Sequence, residues 1–166
     1  YGIFIIVATS NAFNITDGLD GLAAGSGILT LLFWGWLLFI IGKSQLSWLA
    51  FGAIGGLTAF LWFNVWPAGI FMGDSGSLGL GALIGFMALI SGQSLLIIFS
   101  ALVFFLDTLS VILQVFSFQF LGRRLFLMSP IHHHFELKGM KETQITVRFW
   151  IIQAIGMTIA WLGRVQ

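Results

Sequence analysis

The chain has 166 residues, 58% of them hydrophobic and 8% charged, with a net charge of +1 and a mean hydropathy of +1.03. Soluble domains carry about 25% charged residues, so this much apolar surface excludes a water-soluble fold and makes lipid the solvent. A balance this close to neutral gives no electrostatic footprint for nucleic acid, and the absence of Cys excludes disulfides and thiolate metal sites.

Tyr1 to Thr9 is a nearly unbroken apolar stretch. It covers about half of the roughly 20 residues a bilayer crossing needs. It therefore reads as the second half of a helix that begins upstream, and residues 1–166 as the C-terminal part of a single integral-membrane domain. A signal peptide is not expected, since no basic segment or small-residue cleavage site is present. Leu22 to Ile41 predicts the first complete span. Trp48 to Trp66, ended by Pro67, predicts the second. Leu78 to Ile90 gives a short, Gly-rich third, to cross with little tilt or to be extended by its Gly-rich flanks, Leu95 to Leu121 a fourth, and Val147 to Leu162 the last. The expected fold is an all-α polytopic transmembrane bundle of about five complete spans plus part of another. The Gly patterns at Gly52, Gly55 and Gly56, and at Gly79, Gly81 and Gly85, predict close helix packing.

Polar segments must alternate between the two sides. Asn11–Asp20, Pro67–Ser77 and Gly122–Thr146 then share one side with Arg123, Arg124, Lys138, Lys141 and Arg148. Lys43 and Arg164 fall on the other. The Lys/Arg excess marks the first side as cytoplasmic.

Three clusters on that side carry chemistry. The first, Asn11-Ala-Phe-Asn14-Ile-Thr-Asp17-Gly-Leu-Asp20-Gly-Leu, contains two Asp-Gly steps that predict turns, and Asp20 is placed to cap the next helix. Capping explains one carboxylate but not two carboxylates and two Asn. The second, Phe71-Met-Gly-Asp74-Ser-Gly-Ser, surrounds an Asp with small residues that let backbone approach a phosphate. The third, Pro130-Ile-His132-His133-His134-Phe-Glu136, places three His in a row. Helix neighbours point about 100° apart, so three consecutive His cannot all chelate one ion, and the helical zinc spacing is absent. One or two are expected to contact phosphates or orient a carboxylate. Together the clusters point to an anionic ligand and a hard cation, Mg²⁺ or Mn²⁺, because carboxylates repel phosphate unless an ion bridges them.

These three motifs closely resemble the phospho-N-acetylmuramoyl-pentapeptide transferase family of polyprenyl-phosphate sugar-1-phosphate transferases. Leu61-Trp-Phe-Asn64, Thr108–Gln114 and Val147–Ile152 are similar to the same family, in the same order. The resemblance implies a ten-helix fold of which this chain holds about the last five spans and part of another. It implies transfer of phospho-N-acetylmuramoyl-pentapeptide from UDP to undecaprenyl phosphate, forming lipid I and UMP for peptidoglycan synthesis, with Mg²⁺ as cofactor. The expected setting is the bacterial cytoplasmic (inner) membrane, with a homodimer left open. Site residues implied by matching motifs are Asp74, Asp17, His132 and His133 for catalysis, with Asp74 and Asp17 also holding the metal. Asn11, Asn14, Gly18, Leu19, Asp20, Asn64, Phe71 and His134 are implied in substrate binding. The family's adjacent Asp pair lies upstream of this segment, so the segment alone is expected to be inert.

Asp107 stands in mid-span, at a position where the family usually has Glu. It is read as a structural or lipid-phosphate-side residue. Two alternatives carry different expectations. A sibling transferase for N-acetylhexosamine phosphate fits the Asp motifs, but the His run argues against it. A transporter predicts charges deep in several spans, and only Asp107 answers to that.

Overall fold

Within lipid, each backbone N–H and C=O must find its partner inside the protein, and for apolar runs of this length the helix is the local solution. The computed structural model describes residues 1–164, and its regular elements among those residues are all helical. The α-helices are α1 (Gly2–Thr16), α2 (Leu22–Ile40), α3 (Ser44–Asn64), α4 (Gly73–Ser91), α5 (Ile97–Ser100), α6 (Leu102–Leu121), α7 (Ile131–Leu137) and α8 (Glu142–Leu162), with a 3₁₀ turn at Ser94–Leu96. Five of them (α2, α3, α4, α6 and α8) are long and apolar enough to cross a membrane. The chain is a multi-pass helical membrane bundle, as its composition predicts.

Three elements depart from the predicted apolar runs, each for a local reason. The third span is extended through its Gly-rich flank: α4 begins at Gly73, so the small-residue segment around Asp74 is its first turn. The acid there faces the positive end of the helix dipole. The fourth span is broken at Ala101, where φ −123° and ψ 41° interrupt the helix between α5 and α6. Nothing in that apolar stretch, neither Gly nor Pro, announces the break. Gln153 of α8 accounts for it. Its Oε1 accepts from the Val103 amide, and its Nε2 donates to the Ser100 carbonyl and to Thr30 Oγ1. A fully buried amide thus takes up backbone groups at the break and ties α8, the α5–α6 junction and α2 together. The last helix starts at Glu142, five residues before Val147, and so carries its polar first turn into the site.

The most buried helix is α2, where Leu22, Ala23, Ala24, Leu31, Trp34, Leu37 and Leu38 are all essentially inaccessible. α3 and α8 pack against it, while α1 lies along α4 and α6. Phe13 of α1 stacks on Phe104 of α6 with ring centroids 4.8 Å apart. The Gly expectation divides. Gly81 and Gly85 do bring α4 against the α1 backbone. A Cβ added at Gly52, Gly55, Gly56 or Gly79 would meet no neighbour within 4 Å, so these four face the open surface of the bundle.

Loop contacts sort the helix ends as alternation requires. Tyr1 Oη is hydrogen-bonded to Ser94 Oγ, and Lys43 Nζ donates to the Ile90 carbonyl, so these segments share one end. The turns after α1 and α3, the start of α4 and the whole of α7 meet at the other.

Candidate functional site

At that second end, α1 stops at Thr16 and the chain turns through Asp17–Gly21. Gly21 adopts φ 73°, the left-handed conformation glycine takes without a Cβ penalty, and serves as N-cap of α2. Asp20 does not cap this helix. Its Oδ2 accepts instead from the Ala68 amide at 2.8 Å, reaching across to the segment after α3.

The second half of the turn is fastened on every side. Asn64 Oδ1 accepts from the Gly21 amide at 3.1 Å, and its Nδ2 donates to the Ile70 carbonyl at 2.9 Å. Glu142 Oε1 accepts from the Asp20 amide at 2.7 Å. Thr146 Oγ1 and Trp150 Nε1 donate to the carbonyls of Asp20 and Gly21. Leu19 sends its side chain into a small core with Leu22, Val103, Ile145 and Phe149. Only its backbone is left for a ligand.

The opposite wall is built from α1 and α4. Asn14 Nδ2 donates to Asp74 Oδ1 at 3.0 Å and to Ser77 Oγ at 2.9 Å. Both amide protons are used, so Oδ1 is the atom Asn14 keeps for a ligand. The Asp17 carboxylate has no hydrogen-bond partner among the described residues, and its pKa is held above the usual carboxylate range. Burial is the larger cause and the Asp74 charge the second. Phe71 stands at the rim, 77% exposed. A large aromatic so open, beside polar groups, suits a planar ring.

Between these walls lies a cleft of about 320 Å³ lined by Asn14, Asp17, Gly18, Leu19, Asp20, Asn64, Phe71, Gly73 and Asp74. Its size falls in the range of small-molecule sites, roughly 300–1,000 Å³. Three carboxylates and no Lys or Arg line it. Asn11 stays outside: it is exposed and bonds the Val7 carbonyl of its own helix.

The three His take three directions. His132 is completely buried, with Nδ1 2.9 Å from Asp107 Oδ2. Its ring lies under Gly18, where a Cβ would stand 2.7 Å from Nε2. His133 is partly exposed, pairs with Glu136 at 2.9 Å, and also approaches Gly18. His134 Nδ1 accepts from the Leu127 amide at 3.1 Å and fixes the loop before α7. Gln114 holds the same loop through the Leu125 and Phe126 amides. Sequence reasoning brings Asp17, Asp20 and Asp74 to one place correctly, but it misses Glu142, Ser77 and Trp150. Glu142 leaves one signal, an acid at the start of an apolar run, while Ser77 and Trp150 lie inside motif stretches without being singled out there.

No group of three His, Asp or Glu close enough to hold a metal ion occurs among the described residues. The cleft does offer Asp17 and Asp74, two hard oxygen donors whose charges oppose each other across it.

The glycosyl transferase family 4 profile matches residues 1–92, which include both Asp17 and Asp74. The chain is 51% identical to the phospho-N-acetylmuramoyl-pentapeptide-transferase of Nautilia profundicola, over 96% of this chain and 50% of that protein. Proteins of the same name from Campylobacter hominis (46% identical, 96% of this chain, 49% of the relative) and Methylacidiphilum infernorum (45%, 92% and 46%) are also similar. The chain spans about half the length of these relatives. It belongs to glycosyl transferase family 4, where its similarity runs to the phospho-N-acetylmuramoyl-pentapeptide-transferases.

Proposed function

We propose that residues 1–166 form the C-terminal part of a single transferase domain that moves phospho-N-acetylmuramoyl-pentapeptide from UDP to undecaprenyl phosphate. The products are lipid I and UMP, and the setting is peptidoglycan synthesis at the bacterial cytoplasmic membrane. The observation that carries this reading is the cleft itself. Asn14, Asp17, Asp20, Asn64, Phe71 and Asp74 come from separated stretches of chain and line one cavity.

The walls divide the work. Phe71 offers a π face to the uracil ring, Asn14 Oδ1 an acceptor and the Leu19 amide a donor. Asp74 sits at the reacting side, oriented by Asn14. A cleft with three carboxylates and no cation of its own repels a pyrophosphate. Asp17 and Asp74 are the residues that would hold Mg²⁺, and the repulsion that helps to raise the Asp17 pKa is what a cation there relieves. When bound, the ion supplies charge neutralisation at the phosphates. His133, partly exposed, reaches the same turn from the α7 side. Five basic residues on this end, Arg123, Arg124, Lys138, Lys141 and Arg148, against Lys43 and Arg164 on the other, support a cytoplasmic site.

The test uses the complete protein in detergent or liposomes with undecaprenyl phosphate and Mg²⁺. UDP-N-acetylmuramoyl-pentapeptide should give UMP and a lipid-linked product, and UDP-N-acetylglucosamine in excess should neither replace it nor compete. Preferential use of the hexosamine donor would reassign the chain to the sibling transferases. Residues 1–166 alone should be inert, since among the described residues only Asp17 and Asp74 are proposed to hold the ion and the chain covers about half the length of its relatives.

A further inference from the structure

Asp107 lies six residues into α6, in a helix of Leu, Val and Phe, and its side chain is fully buried. A carboxylate in that position is costly unless paired and is generally kept for a purpose. His132 is its partner at 2.9 Å, also fully buried. This contact turns Nδ1 toward Asp107 and leaves Nε2 on the far side of the ring. Nε2 has no hydrogen-bond partner among the described residues and lies against Gly18. A side chain at position 18 would collide with it, so the glycine is what lets the turn rest on the imidazole. His132 lines no part of the cleft.

The halves of the turn are therefore held differently. Asp20–Gly21 is fastened by five hydrogen bonds to their backbone or side chain from Ala68, Asn64, Glu142, Thr146 and Trp150. Among the described residues, Asp17–Gly18 receives no side-chain hydrogen bond from another element; His132 packs beneath it. We propose that Asp107 and His132 are a buried positioning pair that sets the height and direction of the Asp17–Gly18 turn. On this assignment His132 acts through the turn and does not touch the substrate. Asp107 anchors the ring to α6, and the Gln153 clasp at the Ala101 break sets where α6 begins. The inference rests on the proposed transferase reading, because it takes Asp17 as a working group of that site.

The consequence is a split between rate and binding. Nucleotide contacts belong mostly to Phe71 and Asn14, which lie off this turn, and the pair supports Asp17–Gly18. In the complete protein, Asp107→Asn and His132→Gln should each lower kcat about tenfold or more, with KM for the UDP donor within about twofold. The double variant should be no worse than the poorer single, because the pair works as a unit. Asp107→Glu, which keeps the carboxylate, should recover most of the rate. Multiplying losses in the double variant, or a donor KM that rises as far as kcat falls, would overturn the proposal. So would near-normal kcat in both singles. Should Asp107→Asn fail to fold, judged by size-exclusion melts, the same cycle is run with Gly18→Ala in its place. That substitution pushes on the ring from above and must be non-additive with His132→Gln; additive losses would reject the pair. Wild-type protein is assayed beside the variants. If it makes no lipid-linked product, the functional reading fails; if it does and the cycle is additive, only the positioning pair fails.

Discussion

The two walls of the cleft are made of the same residue types and behave in opposite ways. On one wall, Asp20 and Asn64 spend their polar atoms on backbone groups of Ala68, Gly21 and Ile70. On the other, Asp17 has no hydrogen-bond partner among the described residues, Asp74 is exposed with a single hydrogen bond from Asn14, and Phe71 stands in the open. A buried amide or carboxylate that satisfies backbone donors has a structural role, because leaving those donors unpaired costs about 1–3 kcal/mol each. A carboxylate left unsatisfied beside another carboxylate is destabilising, and such an arrangement is held in place only by the surrounding fold. On the proposed transferase reading, the difference separates residues that shape the pocket from residues that would act in it.

The sharpest way to break the comparison is on the acting wall. Asp74→Asn keeps shape and the Asn14 contact but removes the charge. In the complete protein it should lower kcat by about 10²–10³-fold, the scale of losing one preorganised electrostatic group, without lowering the melting temperature. A variant that instead lost its fold and kept its specific rate would place Asp74 on the structural side. The shaping wall should answer the other way. Asn64→Ala strips partners from the Gly21 amide and the Ile70 carbonyl together and should destabilise by about 1–3 kcal/mol for each partner left unpaired. Any rate loss should track the folded fraction in a chemical-denaturation series. Phe71→Ala should weaken nucleotide affinity by about 1–3 kcal/mol if the ring stacks on the base, with no change in melting. Unchanged affinity by titration calorimetry would leave Phe71 as a lipid-facing side chain.

Much of this is legible in the sequence, and the illegible part has a pattern. The apolar runs yield five spans because lipid leaves few alternatives to helix. Asp17, Asp20 and Asp74 can be placed together because alternation of polar segments puts their loops on one side. What escapes is whatever depends on a distant partner. Asp20 reads as a helix cap, since capping is the local use of an Asp before an apolar run, but the Ala68 amide, 48 residues on, takes it. The break at Ala101 is set by Gln153, about fifty residues later and on another helix. Asp107 and His132 are 25 residues apart, and neither announces the other. The His run shows that three neighbours diverge; it does not show which is buried. Gly52, Gly55 and Gly56 resemble packing glycines, yet their helix meets only α2 closely, on its other side.

The smallest effect to measure is a stability change, and its sign is the informative part. Asp17 has its pKa raised above the ordinary value of 3.8 by burial and by Asp74. A raised carboxylate pKa means that ionisation is disfavoured in the folded state, so the group subtracts from stability once it is charged. The penalty is absent below the ordinary value. It grows as pH climbs from there through the raised folded pKa and is constant above it. Asp17→Asn removes the penalty. The variant should therefore melt higher than wild type at neutral pH in EDTA, and the two curves should converge as the pH falls toward the ordinary carboxylate value. Mg²⁺ should act in the opposite sense. A cation that binds the folded state stabilises it by mass action, and with Asp17 as one of its ligands it should raise the wild-type melting temperature more than that of the variant. Lower melting of Asp17→Asn in EDTA would mean that the carboxylate makes a stabilising contact, and Asp17 would move to the shaping wall beside Asp20. Equal Mg²⁺ shifts in both proteins would remove it from the metal site while leaving Asp74 there.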